Sequence, residues 1–245
     1  MQKGVPELPN IVTLLEKLFH GTPLAGYLKT WENLIFSLII ICLISVAAYF
    51  ASRRISAIPA RLQGAFEIIV GGIDDFVCGI MGPGGRRFTP FIGTLFLYIL
   101  FMNLSGLIPF MKAPTASWST TLALALCVFI YVQYAALKDR GVLGYIDHLL
   151  GRPRGIIAFS VFIPLMMLIL HIVSELVRPI SLSLRLRSNI WGDDMLIAVL
   201  AGFGIKGIPL LFFNFFIIIL ASTVQAVVFC LLTTIYFALA LAHEE

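Results

Sequence analysis

Apolar positions in this chain run in blocks of about 20 residues, the length that crosses a bilayer as a helix. Residues 31–51, WENLIFSLIIICLISVAAYFA, read as a spanning helix that ends at Arg53 and Arg54. Over residues 59–82 the pattern changes: Phe66, Ile69, Ile73, Phe76 and Ile80 recur every three or four positions between Glu67, Asp74 and Asp75. That periodicity predicts an amphipathic helix lying at the membrane interface. GPGGRR, residues 82–87, reads as a loop from its glycines and proline. Two further spans are expected at 90–110 and 119–137, separated by the short polar stretch MKAPTASW. A basic connection follows, with Lys138, Arg140, Arg152 and Arg154, and then two unusually long segments at 156–204 and 207–242.

Length constrains the last two segments. At 1.5 Å rise per residue, a helix of roughly 45 residues would extend about 70 Å, against a hydrocarbon thickness of about 30 Å. It must tilt steeply, bend or lie partly in the membrane plane, with Pro164 and Pro179 as candidate bends. A strongly tilted helical hairpin accommodates both segments. The expected architecture is an all-α polytopic membrane protein, with 1–245 forming a single membrane domain.

Composition supports that class: 60% of the 245 residues are hydrophobic and 12% are charged, with a mean hydropathy of +1.00. A soluble domain carries about twice that charge. The net charge of +4 comes from basic loops, without the Lys/Arg run and interleaved aromatics of a nucleic-acid binder. Basic residues gather on alternate loops, which by the positive-inside bias puts residues 1–30 outside and the C-terminus inside. MQKGVPELPN lacks the compact apolar core of a cleavable signal peptide. Cys42, Cys78, Cys127 and Cys230 stand singly in apolar stretches, without metal or disulfide spacing. The Asn103-Leu104-Ser105 sequon lies inside an apolar run, where glycosylation would not reach it.

Against this background PISLSLRLRSNIWGDD, residues 179–194, is anomalous, because an ionisable group in the bilayer interior costs at least about 2.5–3.5 kcal/mol. His171, Glu175, Arg178, Ser181, Arg185, Asn189 and Asp193 follow helical spacings of three and four, forming one slowly winding polar stripe. Arg185 lies two turns from Asp193, beyond the reach of direct side-chain pairing on a helix. A guanidinium stays protonated, so Arg185 can attract a carboxylate or repel a travelling proton but cannot relay one. His171 with Glu175, and Asp193 with Asp194, are titratable clusters suited to proton hand-over on either side of it. That arrangement fits two half-channels kept apart by a fixed cation. In the last segment Asn214, Ser222 and Thr223 suit hydrogen bonding between helices, and Gln225 is placed near Arg185.

PISLSLRLRSNIWGDD and QAVVFCLLTTIYFALALAHEE, supported by RLQGAFEIIVGGIDD, LFMNLSGLIP and TLALALCVF, resemble subunit a of bacterial F-type ATP synthases over nearly the whole chain. The resemblance implies a proton-translocating stator subunit of the inner membrane, not catalytic alone and without a cofactor or metal. Its implied partners are a ring of c subunits, the peripheral-stalk b subunits and the remainder of the F1Fo complex. It also implies that Arg185 is the essential arginine, Asn189 its nearby asparagine, Asp194 the acidic position of the outer half-channel and Gln225 the glutamine opposite the arginine. Ser174 and His171 match inner half-channel positions. Ile218 stands where many relatives have histidine, Ser117 where an acidic residue is common, and Arg187 and Ser188 replace an apolar residue and glycine. Arg187, about 160° around the helix from Arg185, is expected to meet protein or an interface.

Two other function classes fit less well. A secondary transporter would show internal repeats with corresponding broken segments, and the sequence has none. An intramembrane hydrolase needs two converging carboxylates, whereas adjacent Asp193 and Asp194 diverge by one helix step; His171 and Glu175 lack a clear third ligand for a metal.

Overall fold

The computed structural model describes residues 31–52, 61–108, 111, 113–149 and 157–241. Residues 1–30, the arginines at 53, 54, 152 and 154, and the final HEE lie outside the described residues. Six α-helices follow in order: α1 Glu32–Ser52, α2 Arg61–Met81, α3 Thr89–Ser105, α4 Trp118–Leu149, α5 Ile157–Gly202 and α6 Ile208–Leu241. No strand occurs among the described residues. Five stretches are long and apolar enough to cross a membrane: Glu32–Ala51, Pro83–Ser105, Trp118–Asp139, Met166–Gly202 and Ile208–Leu241. The chain is an all-α, multi-pass membrane protein.

Local chemistry explains the element boundaries. Pro90 opens α3, where its missing N–H costs no intrahelical bond. At the start of α4, Ser117 is extended and its hydroxyl meets Thr120 Oγ1 at 2.7 Å, while its carbonyl accepts from Thr121. Three details sharpen the sequence reading. GPGGRR is not irregular: Pro83–Phe88 wind into a 3-10 turn. The third apolar span, Trp118–Asp139, is followed by further helix to Leu149 after a break at Gly141, whose φ of 70° no right-handed helix accommodates. Through Pro164 and Pro179 the helical assignment of α5 continues for 46 residues.

The core lies where α3, α4, α5 and α6 meet, around Ile92, Ile99, Val128, Leu186, Phe229 and Phe237. At one end Phe237 stacks on Phe88 at 4.4 Å and receives Tyr131 edge-on at 5.5 Å, tying the turn, α4 and α6 together. Beside this cluster Arg86 pairs with Asp74 at 3.3 Å, Thr89 donates to the same carboxylate at 2.7 Å, and Arg87 makes a two-pronged bond to Asp139. The outer faces are as apolar as the core: Leu43, Phe50, Leu170, Phe212 and Leu220 are all exposed, as lipid solvation requires.

The tight end of the α5–α6 hairpin is a 3-10 turn, Gly204–Gly207. Gly207 is buried, and a Cβ there would stand 2.3 Å from the Leu200 carbonyl oxygen. Gly207→Ala is therefore expected to destabilise the hairpin by about 1–3 kcal/mol. Gly202→Ala, with nothing within 4 Å of its Cβ position, should stay within about 0.5 kcal/mol of wild type. Thermal unfolding of the purified variants in detergent checks the contrast.

Candidate functional site

The polar residues of α5 form a coherent stripe. At about 100° per residue, Arg178, Arg185, Asn189 and Asp193 fall within an arc of roughly 80°, with Arg187 on the far side. Two contacts fix where the stripe faces. The Arg178 guanidinium lies 5.1 Å over the Tyr236 ring of α6, so the stripe looks toward α6. Arg178 also pairs with Glu175 at 3.0 Å, and Glu175 accepts a hydrogen bond from Gln133 of α4. Glu175 is thus held between two donors, and α4 closes the stripe at the end far from the hairpin turn.

Arg185 is exposed on the surface of the chain and forms no ion pair with a described residue. Tyr236 lies within electrostatic reach of both Arg185 and Arg178. Arg187, by contrast, has left the stripe: its guanidinium sits 5.2 Å over the ring of Trp118, the first residue of α4. Sequence position alone hid this aromatic partner, which stands 69 residues earlier in the chain. His171 is half-buried one turn before Glu175, and Ser174 is exposed. Toward the hairpin turn, Asn189 and Asp193 are half-buried and Asp194 is exposed.

The facing side of α6 is polar at intervals. Asn214, Ile218, Ser222 and Gln225 are buried along it. Gln225, Ile218 and Tyr236 share an arc of about 20°, so Gln225 and Ile218 turn toward α5 as Tyr236 does. Cys230, about 120° away, donates instead to the Ile92 carbonyl of α3 at 3.6 Å. Counted from the ends of the hairpin, Gly202 and Ile208, Arg185 and Gln225 stand at equal distances of about 17 residues, and so at nearly the same height.

Several polar atoms of this seam have no hydrogen-bond partner among the described residues although they are buried. They are Asn189 Nδ2, Asp193 Oδ2, Asn214 Oδ1, Ser222 Oγ and Gln225 Nε2. The residues missed by sequence reasoning are Gln133, Tyr236 and Trp118, which meet Glu175, Arg178 and Arg187 respectively. Gln133 was detectable as a lone amide in an apolar span, since such groups seek partners across helices.

The Glu175–Arg178 pair should be energetically coupled. In a double-mutant cycle of Glu175→Ala and Arg178→Ala, the double variant is expected to lose about 1–3 kcal/mol less thermal stability than the two single losses added. Additive losses would show that the pair is not formed in the protein.

Comparison with known proteins gives this seam a context. The family described as ATP synthase A chain matches residues 34–238. The ATP synthase subunit a of Protochlamydia amoebophila is 39% identical, with 100% of this chain aligned to 93% of the relative. That of Oleidesulfovibrio alaskensis is 34% identical, with both chains covered completely. That of Solidesulfovibrio magneticus is 36% identical over 87% of this chain and 86% of its own. With its five apolar helices and a match spanning both members of the long hairpin, the chain belongs to the ATP synthase A chain family.

Proposed function

We propose that the chain is the proton-translocating stator subunit of a bacterial F-type ATP synthase, offering two half-channels to a ring of c subunits. The observation that carries this reading is Arg185: a permanent cation on an apolar helix pair with no ionic partner among the described residues of its own chain. Such a charge suits a carboxylate presented by another subunit. Titratable groups stand on both sides of it, His171 with Glu175 toward one end of α5 and Asp193 with Asp194 toward the other.

In this function a proton enters from outside by way of Asp194 and Asp193, neutralises a rotor carboxylate and travels with it through lipid. It leaves past Ser174 and His171. Arg185, with Asn189 and Gln225 around it, holds the ionised carboxylate briefly and blocks direct passage between the two paths. The guanidinium does so by charge alone, because it cannot surrender its own proton. Each charge moved through 100 mV supplies about 2.3 kcal/mol for rotation and ATP synthesis.

The remaining parts follow from this arrangement. The N-terminus faces out and the C-terminus faces the cytoplasm, within one membrane domain. α2 lies at the interface, where its acidic residues remain wet and Phe66, Ile69, Ile73 and Phe76 face protein or lipid. At about 1.5 Å per residue the 46 residues of α5 reach roughly 70 Å, so α5 and α6 lie strongly tilted along the rotor. Peripheral-stalk b subunits and the F1 sector complete the assembly.

ATP-driven acidification of vesicles containing the whole complex tests the reading. Arg185→Ala is expected to abolish acidification while the complex still assembles. Acidification at the wild-type rate would refute the assigned role.

A further inference from the structure

Arg187 is a second permanent cation on α5, two residues from Arg185 and on the opposite face. Its guanidinium rests 5.2 Å over the ring of Trp118, and it forms no ion pair with a described residue. The ring attracts the charge but offers the N–H donors no lone pair. Helix α4 fixes the depth of this contact. Its apolar span, Trp118–Asp139, has 22 residues, about 33 Å at 1.5 Å per residue, which matches a hydrocarbon thickness of about 30 Å. With the Arg87–Asp139 pair at one end of that span, Trp118 marks the boundary at the other, where tryptophan and snorkelling arginine both stand at headgroup height. Gln133 meets Glu175 and Trp118 meets Arg187, so α4 and α5 run antiparallel and this boundary is on the hairpin-turn side. The surroundings are apolar and open. On α5, Ile180, Leu184, Arg187 and Trp191 form one column at spacings of four, three and four, and all four are exposed, as is Trp118. A carboxylate from another protein would have to be buried on this apolar face to reach Arg187, whereas phosphodiesters stand at this height in any phospholipid leaflet.

We infer that Arg187 and Trp118 form a binding site for the phosphate of an anionic phospholipid in the leaflet on the hairpin-turn side. The planar fork of N–H donors matches two oxygens of one phosphate, and the ring behind it limits the freedom of the guanidinium. From there the acyl chains follow Leu184 and Ile180, the part of the exposed column that leads toward the bilayer centre. Headgroup charge sets the preference. A zwitterionic headgroup brings its own ammonium to the phosphate, while an anionic one leaves the phosphate to the arginine. Held in this way, the lipid neutralises Arg187 and gives the long α5 an anchor at the membrane boundary, the kind of contact that sets the tilt and rotation of a membrane helix. The site depends only on the membrane-spanning architecture and not on what the subunit transports.

The test uses the whole complex in phosphatidylcholine vesicles containing a trace of phosphatidylglycerol with a photoreactive group on its acyl chain, or of phosphatidylcholine carrying the same group. After illumination, labelling of the peptides that contain Trp118 and Leu184 is measured by mass spectrometry. In the wild type the anionic probe is expected to label these peptides about fivefold more than the zwitterionic one, the preference that one arginine near the surface supplies. Arg187→Gln should bring that ratio to about one, and Arg187→Lys, which keeps the charge but loses the fork, should fall between. A wild-type ratio near one overturns the inference without need of any variant, and so does a raised ratio that Arg187→Gln leaves unchanged. Excess inorganic phosphate separates the two sources of the ligand: a preference that persists supports the lipid, whereas a preference that free phosphate abolishes overturns it in favour of a soluble anion. Loss of another subunit from the Arg187→Gln complex, with a wild-type ratio near one, overturns it in favour of a protein carboxylate. Failure of the labelling leaves the translocation reading untouched, because Arg185 takes no part in the site.

Discussion

A guanidinium placed among hydrocarbon must find an opposite charge or water, because its desolvation costs at least about 2.5–3.5 kcal/mol. Arg178 meets this demand within the chain through Glu175 and Tyr236, and Arg187 rests on the ring of Trp118. Arg185 has no such ionic partner among the described residues. Three arginines lie on one helix within three turns, and the one at the height of Gln225 is left for something else. The functional account grows from that asymmetry.

The rest of the structure keeps Arg185 where it is. The Gln133–Glu175–Arg178–Tyr236 chain of contacts connects α4, α5 and α6 two turns away and sets the rotation of α5 about its axis. Arg187 over Trp118 anchors the opposite face near the other end of α4. Between these anchors Leu182 and Leu186 are buried in the core, leaving Arg185 at the edge of the bundle. The apolar core is therefore what presents the charge.

Much of this was legible in the sequence, and the reasons are physical. Apolar blocks longer than a bilayer requires mark helices directly, and the three-and-four spacing of Arg178, Arg185, Asn189 and Asp193 marks a shared face before any packing is known. Helix ends were less readable. The α4 helix persists to Leu149 because lysine, arginine and aspartate are compatible with helix once the chain leaves the apolar stretch, and only Gly141 interrupts it. Partners across helices were not readable at all. Neither Gln133 nor Trp118 carries a local signal naming Glu175 or Arg187, since those contacts depend on helix crossing rather than spacing. The same holds for the unpartnered atoms of Asn214 and Ser222: a polar residue on an apolar helix ordinarily signals an inter-helix hydrogen bond, and only packing reveals that none is made.

The central claim is that a fixed positive charge, rather than a physical plug, separates two aqueous paths. The most direct measurement is passive proton flux through F1-stripped vesicles in which the rotor has been cross-linked to this subunit so that it cannot turn. With wild-type Arg185 the account predicts no flux above that of protein-free vesicles, and with Arg185→Ala it predicts a leak driven by the applied potential. A locked rotor that stays equally tight in both would show that the charge is not the barrier.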